Sequence, residues 1–199
     1  MRSDEVHAGA GRPGIVLERL THVDPADLIA LMNDSRVRRH LALARGAFGP
    51  AECADFVAGK ERLWVEHGFG PWAFRVDGVF AGWGGLQPEG ADMDLGLVLR
   101  PEFWGLGRPL AAHFVALAFG ELAAASVVVL LPPSRVRVSG IARLGFRRDG
   151  DLKLGGVCFH RYRLAAPAPP TTSPRTSAME LPSVPQDTPD ARTRIANDS

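Results

Sequence analysis

The apolar positions change period along the chain, and those changes divide it into elements. Gly14 to Leu20 reads as a first strand. Asp24-Pro25 then supplies an N-cap and a first helical residue, and Leu28, Leu31 and Met32 return on one helical face until about Asp34. A second helix is expected from Pro50 to about Glu66, with Phe56, Leu63 and Trp64 on its buried side and Gly68 as its stop. Trp72 to Val76 and Val79 to Leu86 flank Asp77-Gly78, a dipeptide that suits a type I′ hairpin because both central residues need positive φ. Asp92 to Leu99 alternates. Met93, Leu95, Leu97 and Leu99 share a core face, while Asp92, Asp94, Gly96 and Val98 share a face expected to be polar or open. Gly107 to Leu122 returns to helical period through Leu110, Phe114 and Leu117. Val127 to Leu131 is a continuous apolar run, as a strand covered on both faces requires. A short helix from about Ser134 to Leu144, stopped by Gly145, and strands near Phe146–Arg148 and Val157–Leu164 complete the pattern. This order of strands and helices predicts one α/β domain of the α+β kind, with no internal repeat.

From Ala165 the pattern disappears: the remainder holds 7 of the 16 prolines and no aromatic residue. Such a segment buries too little apolar surface to offset the entropy of ordering. Residues 165–199 are expected to be a disordered tail and 1–12 a flexible lead, leaving a domain at 13–164. Composition narrows the partners. A formal net charge of +1 supplies no broad cationic field, so neither a nucleic acid nor an anionic membrane is the expected partner. No apolar run approaches the roughly 20 residues that span a bilayer, and the amino terminus lacks a secretory apolar region, so a cytoplasmic protein is expected. Cys53 and Cys158 stand apart, outside any metal-ligand or redox spacing, which predicts two free thiols and no metal. Arginine outnumbers lysine 21 to 2, a bias of GC-rich bacterial genomes.

The sharpest local feature is RPEFWGLGRPL, residues 100–110, where a strand end meets a Gly-x-Gly segment that leads into a helix. Glycines allow close backbone approach, and the helix amino terminus adds partial positive charge, so the segment suits a phosphate or pyrophosphate; a plain tight turn has the same local pattern. A dinucleotide-binding fingerprint fails, because no third glycine follows at the required spacing and no ribose-binding acid follows the next strand. A P-loop fails for want of Gly-Lys-Ser/Thr.

From Gly14 to Leu164 the chain resembles the GNAT superfamily of acyl-CoA-dependent N-acyltransferases, in particular the branch of ribosomal-protein alanine N-acetyltransferases. The resemblance is carried by LERLTHVDPADLIALMNDSRVRRHL, EHGFGPWAF, FAGWGGL, DLGLVLRPEFWGLG and IARLGFRRDG, in that order. It implies a central mixed, mostly antiparallel sheet of about seven strands with four helices, splayed between the fourth and fifth strands. It also implies acetyl-CoA as co-substrate. The backbone of Leu97, Val98 and Leu99 would pair with the pantetheine arm, and Trp104, Gly105, Leu106, Gly107, Arg108 and Pro109 would take the pyrophosphate. Proline at the last of these positions lacks the backbone N–H that the family places there. Ser134 and Arg137 fall where the family has an asparagine and a serine; Ser134 can keep a hydrogen bond, and Arg137 or Arg135 can meet a coenzyme phosphate.

Acetyl transfer to an amine requires a neutral nucleophile, so a base must take a proton. Asp94 stands where this branch commonly carries an acid; a solvated strand-edge aspartate has the same sequence appearance. Tyr162, the sole tyrosine, is placed to protonate the leaving thiolate, or simply to pack in the last strand. Trp64, Phe69, Trp72 and Trp83 read as core rather than as pocket wall, and Arg36, Arg38, Arg39 and His40 as a solvated helix end rather than a site for an acidic acceptor. The expected function is transfer of acetyl from acetyl-CoA to a primary amine of a protein amino terminus or a small molecule. The alternative is a degenerate domain that binds an acyl-CoA as a sensor without turnover.

Overall fold

A computed structural model describes residues 5–6, 14–44, 46–135 and 138–167. The lead expected at 1–12 lies outside these apart from Glu5–Val6; the tail beyond Pro167 and Arg137 also lie outside them. In chain order the elements are β1 (Glu5–Val6), β2 (Ile15–Glu18), α1 (Pro25–Asn33), α2 (Ser35–Arg38), α3 (Pro50–His67), β3 (Pro71–Val76), β4 (Val79–Glu89), β5 (Asp92–Leu99), α4 (Gly107–Gly120), β6 (Ser126–Leu131), α5 (Ser139–Ala142), β7 (Arg147–Leu154) and β8 (Val157–Ala165). The sheet runs β1-β2-β3-β4-β5-β6-β8-β7, the seven expected strands plus the two-residue β1. Every neighbouring pair is antiparallel except β5 and β6.

Local chemistry accounts for most boundaries. The Asp24 carboxylate accepts the Ala26 N–H at 2.9 Å and starts α1. Gly68, at φ 74°, ends α3. Asp77 and Gly78 take φ values of 49° and 82°, both positive as a type I′ turn demands. Three expectations change. A fifth helix, α2, forms because Asp34 caps it, accepting the Arg36 N–H at 2.8 Å. The helix expected over 134–144 contracts to α5, since Pro132 to Arg135 form a turn closed by the Arg135 N–H on the Pro132 carbonyl at 2.8 Å. The strand expected near Phe146–Arg148 extends to Leu154 through an irregularity at Asp149-Gly150.

Two apolar cores lie on opposite faces of the sheet. One, around Phe74, Leu95, Leu99, Leu110 and Phe114, joins the sheet to α4. The other, around Leu28, Leu31, Val37, Phe80 and Trp83, joins it to α1 and α3, and takes Val98 against it. On the face of β5 expected to be polar or open, Val98 packs against this second core, while Asp94, Gly96 and Val98 stay half-buried and line a cavity. Glycines in β4 let β5 come close: a Cβ on Gly84 would stand 2.3 Å from the Gly96 carbonyl oxygen.

The contact between β5 and β6 is brief. Only Met93 with Val127 and Asp94 with Val128 are in register; beyond them the strands part. An ion-pair cluster pins the closed end. The Asp92 carboxylate accepts from the Ser126 hydroxyl and from Arg161 and Arg163, and Arg163 Nε also reaches Asp149 at 2.8 Å. Burial alone would raise the Asp92 carboxyl, but the Ser126 and Arg163 hydrogen bonds outweigh it and hold the group below the ordinary aspartate range.

Candidate functional site

Where β5 and β6 part, a cavity of about 850 Å³ passes through the sheet. Strand alternation assigns its two ends. The odd residues of β5 face α4, and at that end the lining includes Leu97, Leu99, Trp104, Gly105, Gly107 and Arg108. The even residues face α1 and α3, where Met32, Val37, Phe56, Leu63, Trp83 and Asp94 line the wall.

At the α4 end, the segment expected as an open Gly-x-Gly turn is helical: a 3₁₀ helix over Pro101–Leu106 runs directly into α4. Neither glycine has a positive φ. A Cβ at Gly105 would meet nothing within 4 Å, and one at Gly107 would meet only Leu99 Cδ1 at 4.0 Å. Gly107 N–H already donates to the Trp104 carbonyl, and Pro109, third in the helix, has no N–H to offer. Trp104 Nε1–H donates to the Leu99 carbonyl at 3.0 Å, which ties this segment to the end of β5. The Arg108 side chain lines the cavity and has no hydrogen bond or ion pair among the described residues.

Asp94 sits at the parting of the strands, next to Val128 in register. Burial raises its carboxyl, the negative Glu89 raises it further and the positive Lys60 partly opposes both, so its pKa is pushed up to about 6. Glu89 lines the cavity beside it. Lys60, on the inner face of α3, donates to Gln87 Oε1 and lies 5.5 Å from the ring centroids of both Phe56 and Trp83. Burial lowers its pKa while Asp94 raises it.

The expected site residues divide. Asp94, Leu97, Val98, Leu99, Trp104, Gly105, Gly107 and Arg108 converge on the cavity; Leu106 and Pro109 stand in the same segment but not in its lining. Tyr162 lies elsewhere. It packs in the α4-side core, with the Arg148 guanidinium 5.8 Å from its ring, outside the cavity lining. Ser134 is turned away to donate to the Arg39 carbonyl at 3.2 Å, and Arg135 lines the cavity in its place. Trp83 is both core and pocket wall. Lys60 was not anticipated. Its signal was present, since Phe56, Lys60 and Leu63 follow helical spacing and the chain has only two lysines.

Geometry of this kind suits a long ligand threaded between diverging strands, its polar head at a helix start and its reactive end beside a carboxyl. To such a ligand the described residues would offer a ladder edge left unpaired over Leu95–Leu99, open space at Gly105, and an arginine without a hydrogen bond or ion pair among the described residues. The comparisons agree. No curated protein matches the chain in sequence. Among solved structures, an acetyltransferase from Agrobacterium tumefaciens str. C58 is similar at 17% identity over 82% of this chain and 92% of that one, TM-score 0.63. A putative acetyltransferase from T. thermophilus is similar at 26% identity over 78% and 87%, TM-score 0.57. AAC(6')-Ib, solved with paromomycin and acetyl-CoA, is similar at 18% identity over 76% and 92%, TM-score 0.59. Residues 15–147, which contain α1, the β3–β4 hairpin, β5, the glycine segment and Asp94, match the family model of the acetyltransferase (GNAT) domain, and by that match the chain belongs to the GNAT acetyltransferase family.

Proposed function

We propose that the protein is an acetyl-CoA-dependent N-acetyltransferase that passes the acetyl group directly to a primary amine, of a small molecule or a protein amino terminus, with Asp94 as the general base. The observation that carries this reading is the position of Asp94: a carboxyl with pKa near 6, at the point where the two cavity ends meet. The sequence blocks resemble ribosomal-protein alanine N-acetyltransferases, and the fold likeness to a protein solved with paromomycin supports a small-molecule amine.

Acetyl-CoA, when bound, supplies an activated thioester carbonyl. The chain's part begins with orientation: Leu97 to Leu99 offer backbone groups along an unpaired strand edge, while Arg108 and Arg135 offer charge to phosphate at the α4 end. Above pH 6 the Asp94 carboxylate takes the proton that the acceptor nitrogen must lose, directly or through water. The new C–N bond would form as the C–S bond breaks, and the sulfur would leave as thiolate and take a proton from water, so that the coenzyme departs as the free thiol. Tyr162, away from the cavity, has no part in this scheme.

Calorimetric titration with acetyl-CoA, followed by a thiol-release assay over a panel of amines, tests the reading. Binding with turnover supports it. Binding without turnover favours the acyl-CoA sensor, and absence of binding removes acetyl-CoA from the account.

A further inference from the structure

Acceptor chemistry is written into the α1/α3 end of the cavity, provided that the transferase reading holds. Its walls are Met32, Val37, Leu41, Phe56, Leu63 and Trp83, all apolar bodies. Phe56 and Trp83 meet edge to face at 4.9 Å. The faces of these two rings are what would otherwise attract a cationic acceptor. A cation already stands by them: Lys60 Nζ, outside the cavity lining, is 5.5 Å from both centroids and is fixed there by Gln87. A second positive charge on the cavity side of the same rings would feel Lys60 through a poorly hydrated wall, where repulsion is little screened.

The acidic groups are few and confined. Asp94 and Glu89 line the cavity near the parting of the strands, Lys60 offsets one of them, and His40, lowered in pKa by burial and by the nearby Arg135 and Arg39, adds no charge at neutral pH. That leaves room for one ammonium, beside Asp94, with its carrier against apolar walls. We infer that the acceptor is a monoamine on an apolar, alkyl or aromatic body, selected by the Phe56–Trp83 wall and by Lys60, whose charge behind that wall turns polyamines away.

Steady-state thiol release with the full chain at saturating acetyl-CoA tests this, using butylamine, hexylamine, phenethylamine, spermidine, paromomycin and an alanine-initiated peptide. Each methylene buried contributes about fourfold, so kcat/KM should rise roughly tenfold or more from butylamine to hexylamine. Phenethylamine should exceed spermidine, paromomycin and the peptide by about 30-fold or more, mostly through KM. Lys60→Met should cut the phenethylamine-to-spermidine ratio by about tenfold, and Lys60→Gln by a similar factor, with circular dichroism confirming the fold of each. Preference for a polycation or the peptide, or a ratio unmoved in both variants, overturns the inference and leaves acetyl transfer standing. Turnover with none of the amines, in a protein that binds acetyl-CoA, overturns the transferase reading and the inference with it.

Discussion

A carboxyl becomes a useful base near neutrality only when its surroundings raise its proton affinity, and Asp94 acquires that from burial and from Glu89. Asp94→Asn should lower turnover by about 10²-fold or more while acetyl-CoA affinity, read by calorimetry, stays nearly constant. The same substitution bears on stability. A carboxyl with raised pKa binds its proton more tightly in the folded state, so its ionisation lowers stability as pH climbs from about 4 toward 6, and the cost persists above. Asp94→Asn should therefore raise Tm at pH 8 by about 2–4 °C, with little change at pH 4; an unchanged Tm at pH 8 would mean that the charge is well solvated. Lys60 acts in the opposite sense on Asp94, pulling its pKa down. Its removal in Lys60→Met should move the acidic limb of the pH–kcat/KM profile to higher pH, and a limb that stays in place would separate the two groups. Asp94 was legible as a candidate because it alternates onto the non-core face of its strand. Its partners were not, since Lys60 comes from a helix distant in sequence and only packing brings it near.

At the scale of elements, the glycine segment is where local rules and outcome part most. Read alone, Trp104 to Pro109 looked like an exposed turn; in the fold it is a 3₁₀ helix continuous with α4, and one glycine N–H is already committed to Trp104. Pro109 is tolerated at the third position of α4 because a fixed φ suits the first turn of a helix. It also removes a donor at the place where an anion would gain from one. Pro109→Ala restores that N–H, and a charge-assisted hydrogen bond of about 1.5–3 kcal/mol would tighten acetyl-CoA binding by roughly tenfold or somewhat more. Equal or weaker binding by calorimetry would show that the proline shapes the segment. The β3–β4 hairpin and the start of α1 followed their sequence signals closely, since each is decided within four residues. The α5 region did not, because Pro132-Pro133 and the Ser134 hydroxyl favour a turn.

The whole domain closes at a point slightly later than the composition shift suggested. Ala165 pairs with Ser126, and the Ala166 N–H donates to the Ala125 carbonyl at 2.9 Å, so β8 uses residues assigned by composition to the tail. We propose that the fold ends at Pro167. A chain cut after Pro167 should change Tm by less than about 2 °C, while one cut after Leu164 should lose several degrees, since each backbone hydrogen bond contributes about 1 kcal/mol. Equal losses from both cuts would place stabilising contacts beyond Pro167. None of the helices among the described residues is long and apolar enough to cross a membrane.

What the sequence determined by itself was local or periodic: Asp24 as cap, Asp77-Gly78 as hairpin, the alternation of β5, and the ordered blocks that mark the family. These follow from rules that act within a turn of helix or along one strand. Tertiary structure decided what covers each face. It packed Val98 against the α1/α3 core, left Asp94 and Gly96 on a cavity wall together with Trp83, and put Tyr162 in the α4-side core, outside that lining. The physical reason is that burial and charge at a site are set by neighbours from other elements. A residue's period tells which way it faces, and only the packed sheet and helices determine what it meets there.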